Sequence, residues 1–195
     1  MLQQTQVSRV LTKYREFLGS FPTLADVARA RPDRVMEAWE GLGYYARARN
    51  LQRLACELTE GGQFDDRTLP ADEAALRSLP GIGAYTAGAV SSFAYERRAA
   101  LVDTNVARVL KRAFAPEVDV NVARGRKLLW QVAEEILPRT GRATWTHNQA
   151  LIELGALVCT ARVARCGECP VRAECDTGSC RERRRGVASR PGVAR

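Results

Sequence analysis

The sequence predicts an all-α protein, and three observations carry that prediction. Apolar residues recur at helical spacing along most of the chain, beginning with one apolar face formed by Val7, Val10, Leu11, Tyr14, Phe17 and Leu18. Helix-start signals precede the next apolar segments, with Thr23 as an N-cap and Pro32 in a first turn. No convincing alternation of apolar and polar residues indicates a strand.

The remaining helices are predicted from the same helical spacing of apolar residues and from the loops that interrupt it. Residues 44–60 keep the helical pattern until Gly61-Gly62, and the loop QFDDRTLP follows. Further helices are predicted near residues 71–78, 84–95, 104–114, 121–137 and 144–158. Met1 is predicted to lie inside a helix without a cap residue, which would leave the first amide donors unpaired.

Composition narrows the class of protein. Of 195 residues, 46% are apolar and 27% are charged, as in globular domains. Without a membrane-length apolar run or a signal-peptide pattern, we expect a cytoplasmic location. The net charge is +8, but residues 180–195 hold six arginines and one glutamate, and we expect this basic tail to be disordered. The rest of the chain carries +3, a mild signal for a polyanionic partner.

Four cysteines crowd into one short segment. Cys159, Cys166, Cys169 and Cys175 have the spacing C-x6-C-x2-C-x5-C. In a cytoplasmic protein this clustering favours metal or iron–sulfur ligation over disulfides. Four-cysteine zinc sites usually pair two C-x2-C knuckles, whereas iron–sulfur clusters accept irregular spacing. On this chemistry alone, zinc and a cluster are equally favoured.

The stretch LPGIGAYTAGAV, residues 79–90, reads as a helix–hairpin–helix. Gly81 and Gly83 allow a tight turn with positive φ between two helices. Backbone amides at the start of the second helix would then suit a phosphate oxygen. A plain helix–helix turn is the reading that these residues favour by themselves.

Asp103 stands where an N-cap is expected, just before the apolar helix that begins at Thr104. The functional alternative is a carboxylate that stabilises an oxocarbenium-like sugar. His147 is the only histidine, so a nucleophile–histidine apparatus is not expected. Chemistry here would depend on carboxylates, on Tyr85 or on a metal.

The hairpin sequence, Asp103 and the cysteine cluster, in this order, resemble the helix–hairpin–helix DNA glycosylases with a C-terminal [4Fe–4S] loop. More narrowly, the chain is similar to adenine DNA glycosylases of the MutY type. The likeness is carried by MLQQTQV at 1–7, GLGYYARARNL at 41–51, LPGIGAYTAG at 79–88 and ELGALVCT at 153–160. The resemblance covers residues 1 to about 178. It also implies that the four cysteines bind a [4Fe–4S] cluster rather than zinc.

The resemblance implies removal of adenine mispaired with 8-oxoguanine or guanine, with the adenine turned out of the duplex. Asp103 matches the carboxylate that steadies the sugar cation, and Asn105 and Tyr85 match pocket residues. The implied DNA-binding residues are Gln3, Gln4 and Tyr44, which wedge into the helix, and Gly81, Gly83, Tyr85 and Thr86 of the hairpin. An alkali cation at the hairpin is also implied.

The resemblance further implies two helical lobes. A barrel lobe of residues 1–98 contains the helix–hairpin–helix at about 71–95, and a second lobe of 99–178 carries the iron–sulfur loop of 159–175. The basic tail is residues 179–195. The expected partner is duplex DNA with adenine mispairs, bound by a monomer associated with the nucleoid. No membrane partner is expected.

The match departs from the family in two places. The family's general-acid glutamate would lie two residues before Met1, so we expect an in-frame glutamate codon there, and a truncated, inactive relative is the alternative. No segment after residue 178 resembles the family's C-terminal recognition domain, which leaves the preference for 8-oxoguanine over guanine open. Tyr85 replaces the lysine that gives lyase activity in relatives, so a monofunctional enzyme is expected.

Two rival functions stay open at this point. The enzymatic rival is a thymine- or uracil-mismatch glycosylase, because some members of that group also have a tyrosine at the Tyr85 position. The other is an inactive, cluster-bearing module that binds DNA, which the missing glutamate favours.

Overall fold

In a computed structural model of the chain, residues 1–60 and 68–179 are described, with Glu60 described by its backbone alone. Most of the QFDDRTLP loop and the predicted basic tail beyond Ser179 therefore lie outside the described residues. The chain divides into two compact units, Met1–Gly83 and a second that begins at Ala84. The functional lobes of 1–98 and 99–178 stay a prediction.

Among its described residues the first unit has five helices, and the first four of them contribute to one hydrophobic core. The five helices are α1 (Val7–Ser20), α2 (Leu24–Arg29), α3 (Pro32–Ala38), α4 (Ala46–Glu60) and α5 (Glu73–Ser78). Phe17 meets Trp39 edge to face, with ring centroids 5.9 Å apart, and both are buried. Thr23 caps α2 through a capping box with Asp26, as its sequence predicts.

The start of α1 corrects one prediction. Residues 1–6 form a turn rather than a helix, and α1 begins only at Val7. Gln4 takes a left-handed backbone conformation with φ of 54°, which a helix cannot contain. The predicted single apolar face also divides, because Val10 and Phe17 are buried while Leu11 and Tyr14 are exposed.

The second unit is helical too. It contains α6 (Ala84–Tyr95), α7 (Thr104–Phe114), α8 (Ala123–Glu135) and α9 (Gly141–Glu153), then a π-helical turn (Leu154–Val158) and a 3-10 turn (Cys166–Glu168). Its core gathers Leu101, Val106, Leu110 and Leu129. No strand occurs within residues 1–60 and 68–179, so the all-α prediction is confirmed there.

The segment that leads into α7 is fixed by the hydrogen bonds of a buried asparagine and by a close backbone contact with α6. The Asn148 side chain, 1% exposed, donates to Ser92 Oγ at 2.9 Å and to the Ala99 carbonyl at 3.0 Å. At Gly88 a Cβ would come within 1.9 Å of the Ala100 carbonyl oxygen, so α6 and this segment touch backbone to backbone. The residues immediately before Asp103 are therefore held from two sides.

None of the helices among the described residues has both the length and the apolar character to cross a membrane.

Candidate functional site

Asp103 occupies the N-cap of α7, and its two carboxylate oxygens differ. Oδ1 accepts a hydrogen bond from the Val106 amide at 2.7 Å, which is the expected capping contact. Oδ2 receives the Asn105 side-chain amide at 3.5 Å, a weak contact at that length. The carboxylate is half-buried. One oxygen thus serves the helix, and the other is available to a positively charged group.

Asn105 has a fixed orientation. Arg108 Nη2 donates to Asn105 Oδ1 at 2.8 Å, and an arginine can only donate. The carbonyl end of Asn105 must therefore face Arg108, and its NH2 end must face Asp103. Without the guanidinium, the amide could turn and present its oxygen to the carboxylate, which would be repulsive.

Two arginines one turn apart tie α7 to the cysteine segment. Arg108 donates through Nε to the Cys159 carbonyl at 2.8 Å and through Nη2 to the Gly155 carbonyl at 2.6 Å. Arg112 Nη1 donates to the Thr160 carbonyl at 2.9 Å and lies 3.3 Å from Cys159 Sγ. Sequence reasoning missed both arginines. The one signal was their spacing of four residues, which places them on the same face of α7.

Tyr85 lies in the first turn of α6 and is 37% exposed. Partial burial raises the pKa of its phenol above the usual value, and the nearby negative charge of Asp103 raises that pKa further. The side chain therefore stays a neutral phenol at physiological pH. In that state it can both donate and accept a hydrogen bond.

The four clustered cysteines surround one cavity. Cys159, Cys166, Cys169 and Cys175 are free thiols, and all four line the same space together with Arg112, Arg165 and Arg172. The Gly178 amide donates to Cys175 Sγ at 3.3 Å, and Arg112 Nη1 lies 3.3 Å from Cys159 Sγ. Hydrogen bonds to sulfur and nearby positive charge both stabilise anionic thiolates.

This arrangement bears on which metal group fits. Among the described residues, no three histidine, cysteine, aspartate or glutamate side chains converge as they would around a single ion. A zinc ion needs its four ligands to meet at one atom, with zinc–sulfur distances of about 2.3 Å. In a four-iron cluster each thiolate binds a different iron, so the sulfurs stand apart around a common space. The four thiols that line one cavity supply the number and type of ligands that a [4Fe–4S] cluster requires.

Gln4 and Tyr44 lie on two loops of the first unit that line one groove. Both have left-handed backbones, with φ of 54° at Gln4 and 47° at Tyr44. The groove is also lined by Arg9, Gly41 and neighbouring residues. Tyr44 is 63% exposed, and Gln3 is exposed on the same loop as Gln4.

Of the two hairpin glycines, the surroundings explain Gly81 but not Gly83. Gly81 has φ of 77°, and a Cβ there would lie 2.7 Å from the Asn50 side chain, so the fold itself requires glycine. At Gly83 a Cβ would meet nothing within 4 Å, and its φ lies outside the range that favours glycine. No described neighbour explains a glycine at residue 83. Thr86, a half-buried residue of α6, follows closely in the chain.

The chain belongs to the HhH-GPD superfamily of base excision DNA repair proteins, whose pattern matches residues 1–142. It is 41% identical to the adenine DNA glycosylase of Homo sapiens over 177 residues, which are 90% of this chain and 31% of the human protein. It is 44% identical to the adenine DNA glycosylase of Mycolicibacterium smegmatis over 171 residues, 88% of this chain and 56% of that one. The resemblance to adenine DNA glycosylases is thereby confirmed.

Solved structures agree on the fold. A thermostable thymine-DNA glycosylase superposes with a TM-score of 0.79 at 27% identity, covering 92% of this chain and 80% of that chain. An endonuclease III–DNA covalent intermediate gives a TM-score of 0.73 at 26% identity, with coverage of 92% and 80%. The chain spans less than two thirds of either adenine glycosylase named above.

The pairing of Tyr85 with Asp103 can be measured by titration. Asp103→Asn removes the negative charge but keeps a good N-cap, so α7 should stay intact. We expect the pKa of Tyr85 to fall, because the tyrosinate no longer faces a carboxylate, and to stay above the ordinary value, because burial is the larger cause. The measurement is 13C NMR of labelled tyrosine against pH, with Tyr85→Phe to assign the signal. An unchanged or higher pKa would show that the two groups do not interact.

Proposed function

We propose that this chain carries the catalytic region of a DNA glycosylase that removes adenine mispaired with 8-oxoguanine or guanine. The main support for this reaction is that the two carboxylate oxygens of Asp103 differ: Oδ1 caps the helix, and Oδ2 is left for a cation. The identity to adenine DNA glycosylases over nine-tenths of the chain supports adenine as the base.

Asp103 stabilises the sugar as its bond to the base breaks. Hydrolysis of an N-glycosidic bond passes through an oxocarbenium-like sugar, and a fixed carboxylate beside it lowers the energy of that charge. The Val106 amide keeps the carboxylate oriented through Oδ1, and the Asn105 amide faces Oδ2 at 3.5 Å without occupying it tightly. Tyr85, a neutral phenol, supplies a hydrogen bond without adding a second negative charge. With no lysine at this position, the enzyme is monofunctional.

Duplex DNA with an adenine mispair is the proposed partner, bound by a monomer. Extrusion brings the adenine within reach of the catalytic groups. Gln3, Gln4 and Tyr44 contact the duplex beside the orphaned purine, and the exposure of Tyr44 supports that role. The hairpin holds a phosphate near the extruded nucleotide, together with an alkali cation.

Cys159, Cys166, Cys169 and Cys175 would hold a [4Fe–4S] cluster, and the shared cavity supports this assignment. The cluster would supply a rigid centre for its loop; hydrolysis moves no electrons. Arg108 and Arg112 connect that loop to α7. A well-ordered cysteine segment would therefore also stabilise the positions of Asn105 and Asp103. Arg162, Arg165 and Arg172 of the loop would meet DNA phosphates.

A mismatch glycosylase for thymine or uracil is the second candidate. The superposition on a thymine-DNA glycosylase favours it, since that match covers 92% of this chain. The lower identity of 27%, against 41–44% for the adenine enzymes, places it second.

Release of the base from defined duplexes tests the reaction. Four duplexes carrying A:8-oxoguanine, A:G, T:G and U:G are incubated with the 195-residue chain and with a chain extended at its N-terminus by the residues that the upstream codons encode. We expect adenine release by the extended chain, and about 10²–10⁴-fold slower release by the 195-residue chain if the general acid lies upstream. Asp103→Asn should abolish release but retain duplex binding.

Each other outcome of that panel has a definite meaning. Release of thymine or uracil instead of adenine would support the second candidate. Binding without release by the extended chain would contradict the glycosylase proposal and favour the DNA-binding module.

The hairpin contact is tested by Gly83→Ala. Because the added methyl group meets no protein atom, the melting temperature should hold or rise slightly. The methyl group should, however, obstruct a phosphate approaching the amides. We expect about tenfold weaker binding to mispaired and paired duplexes alike, because phosphate contacts carry no sequence information. Gly19→Ala is the matched control, since it also adds a methyl group to open space. Equal affinity for both variants, measured by fluorescence anisotropy, would exclude the hairpin contact.

A further inference from the structure

The Arg47 guanidinium joins two separate loops of the first unit. It donates to the carbonyls of Met1 and Gln3 and, at 2.9 Å, to Thr5 Oγ1, all on the loop of residues 1–6. It also donates to the carbonyls of Leu42 and Gly43, both at 3.0 Å, on the loop of residues 41–45. Five oxygen atoms from two loops thus share one side chain.

Only arginine has the shape for this contact. Its planar fork carries five N–H donors, whereas lysine has three donors on one compact ammonium group. The guanidinium also lies over two rings, 5.4 Å from the Trp39 centroid and 5.6 Å from the Tyr44 centroid. Burial lowers the pKa of Arg47 somewhat, yet the group keeps its charge at neutral pH.

The two loops that Arg47 joins are the ones that carry the candidate wedge residues. Gln4 and Tyr44 both hold left-handed backbones that non-glycine residues seldom adopt without support. Direct bonds from the guanidinium reach the carbonyls of Gln3 and Gly43, which adjoin these two residues in the chain. Thr5 Oγ1 adds a direct link between the loops by donating to the Leu42 carbonyl at 3.1 Å.

We propose that Arg47 is a positioning residue that holds the loops of residues 1–6 and 41–45 in register, so that Gln4 and Tyr44 enter the duplex as one wedge. The inference rests on the proposed function and deepens it. Arg47 itself touches neither the extruded base nor its sugar. Its contribution is to distortion of a mispaired duplex, and it leaves the Asp103 chemistry unchanged.

This role is tested by two substitutions that conserve the positive charge. Arg47→Lys loses the fork, while Arg49→Lys makes the same change at an exposed residue of α4. Hydrogen exchange of the free protein comes first, and we expect faster exchange in residues 1–6 and 41–45 for Arg47→Lys alone. Binding is then measured to a duplex with 2-aminopurine opposite 8-oxoguanine and to the fully paired duplex. Arg47→Lys should lose about tenfold in preference for the mispaired duplex and most of the fluorescence rise on extrusion.

A milder variant covers the case in which Arg47→Lys does not fold. Thr5→Val removes one acceptor of Arg47 and the bond to Leu42, and it should reduce the preference by a smaller factor. If the wild-type chain prefers the mispaired duplex and Arg47→Lys and Thr5→Val both match Arg49→Lys, the inference is wrong and the proposed function stands. If the wild-type chain shows no preference, the proposed function fails and the inference with it.

Discussion

The proposed glycosylase site depends on one carboxylate, that of Asp103, which caps a helix and is proposed to stabilise a sugar cation. Asp103 caps α7 with Oδ1, and this contact fixes the side chain relative to the helix axis. An acid held in this way cannot swing aside when a cation forms near Oδ2, so its stabilising effect needs little reorganisation. The capping interpretation and the catalytic interpretation of Asp103 are therefore compatible, because they use different oxygens of one group.

The surroundings of Asp103 are organised by donors that reach main-chain carbonyls. Arg108 orients Asn105 and is itself held by the carbonyls of Gly155 and Cys159. At Gly155 a Cβ would lie 2.8 Å from Asn105, so the π-helical turn packs directly on α7. The cysteine segment thus acts as a structural support for α7. In the first unit Arg47 has the same kind of role, since it also gathers carbonyls from distant positions.

Local signals predicted most of the fold. Helices α6 and α7 have the bounds 84–95 and 104–114 that the apolar period indicates, and α9 begins earlier than predicted because Thr140 caps it. The helix predicted at Met1 is wrong, because the turn of residues 1–6 is held by Arg47, far along the chain. Arg47 and Arg108 escaped sequence reasoning for the same reason: most of their acceptors are backbone carbonyls, which no residue type marks.

The proposed role of Asp103 requires its carboxylate to lie beside the sugar when positive charge develops there. A crystal structure with a duplex that carries a cationic cyclic amine in place of the adenine nucleotide's sugar, opposite 8-oxoguanine, tests it most directly. We expect Asp103 Oδ2 to lie within about 3.2 Å of the amine nitrogen while Oδ1 still accepts a hydrogen bond from the Val106 amide. An amine seated in the pocket without contact to the Asp103 carboxylate would contradict the account.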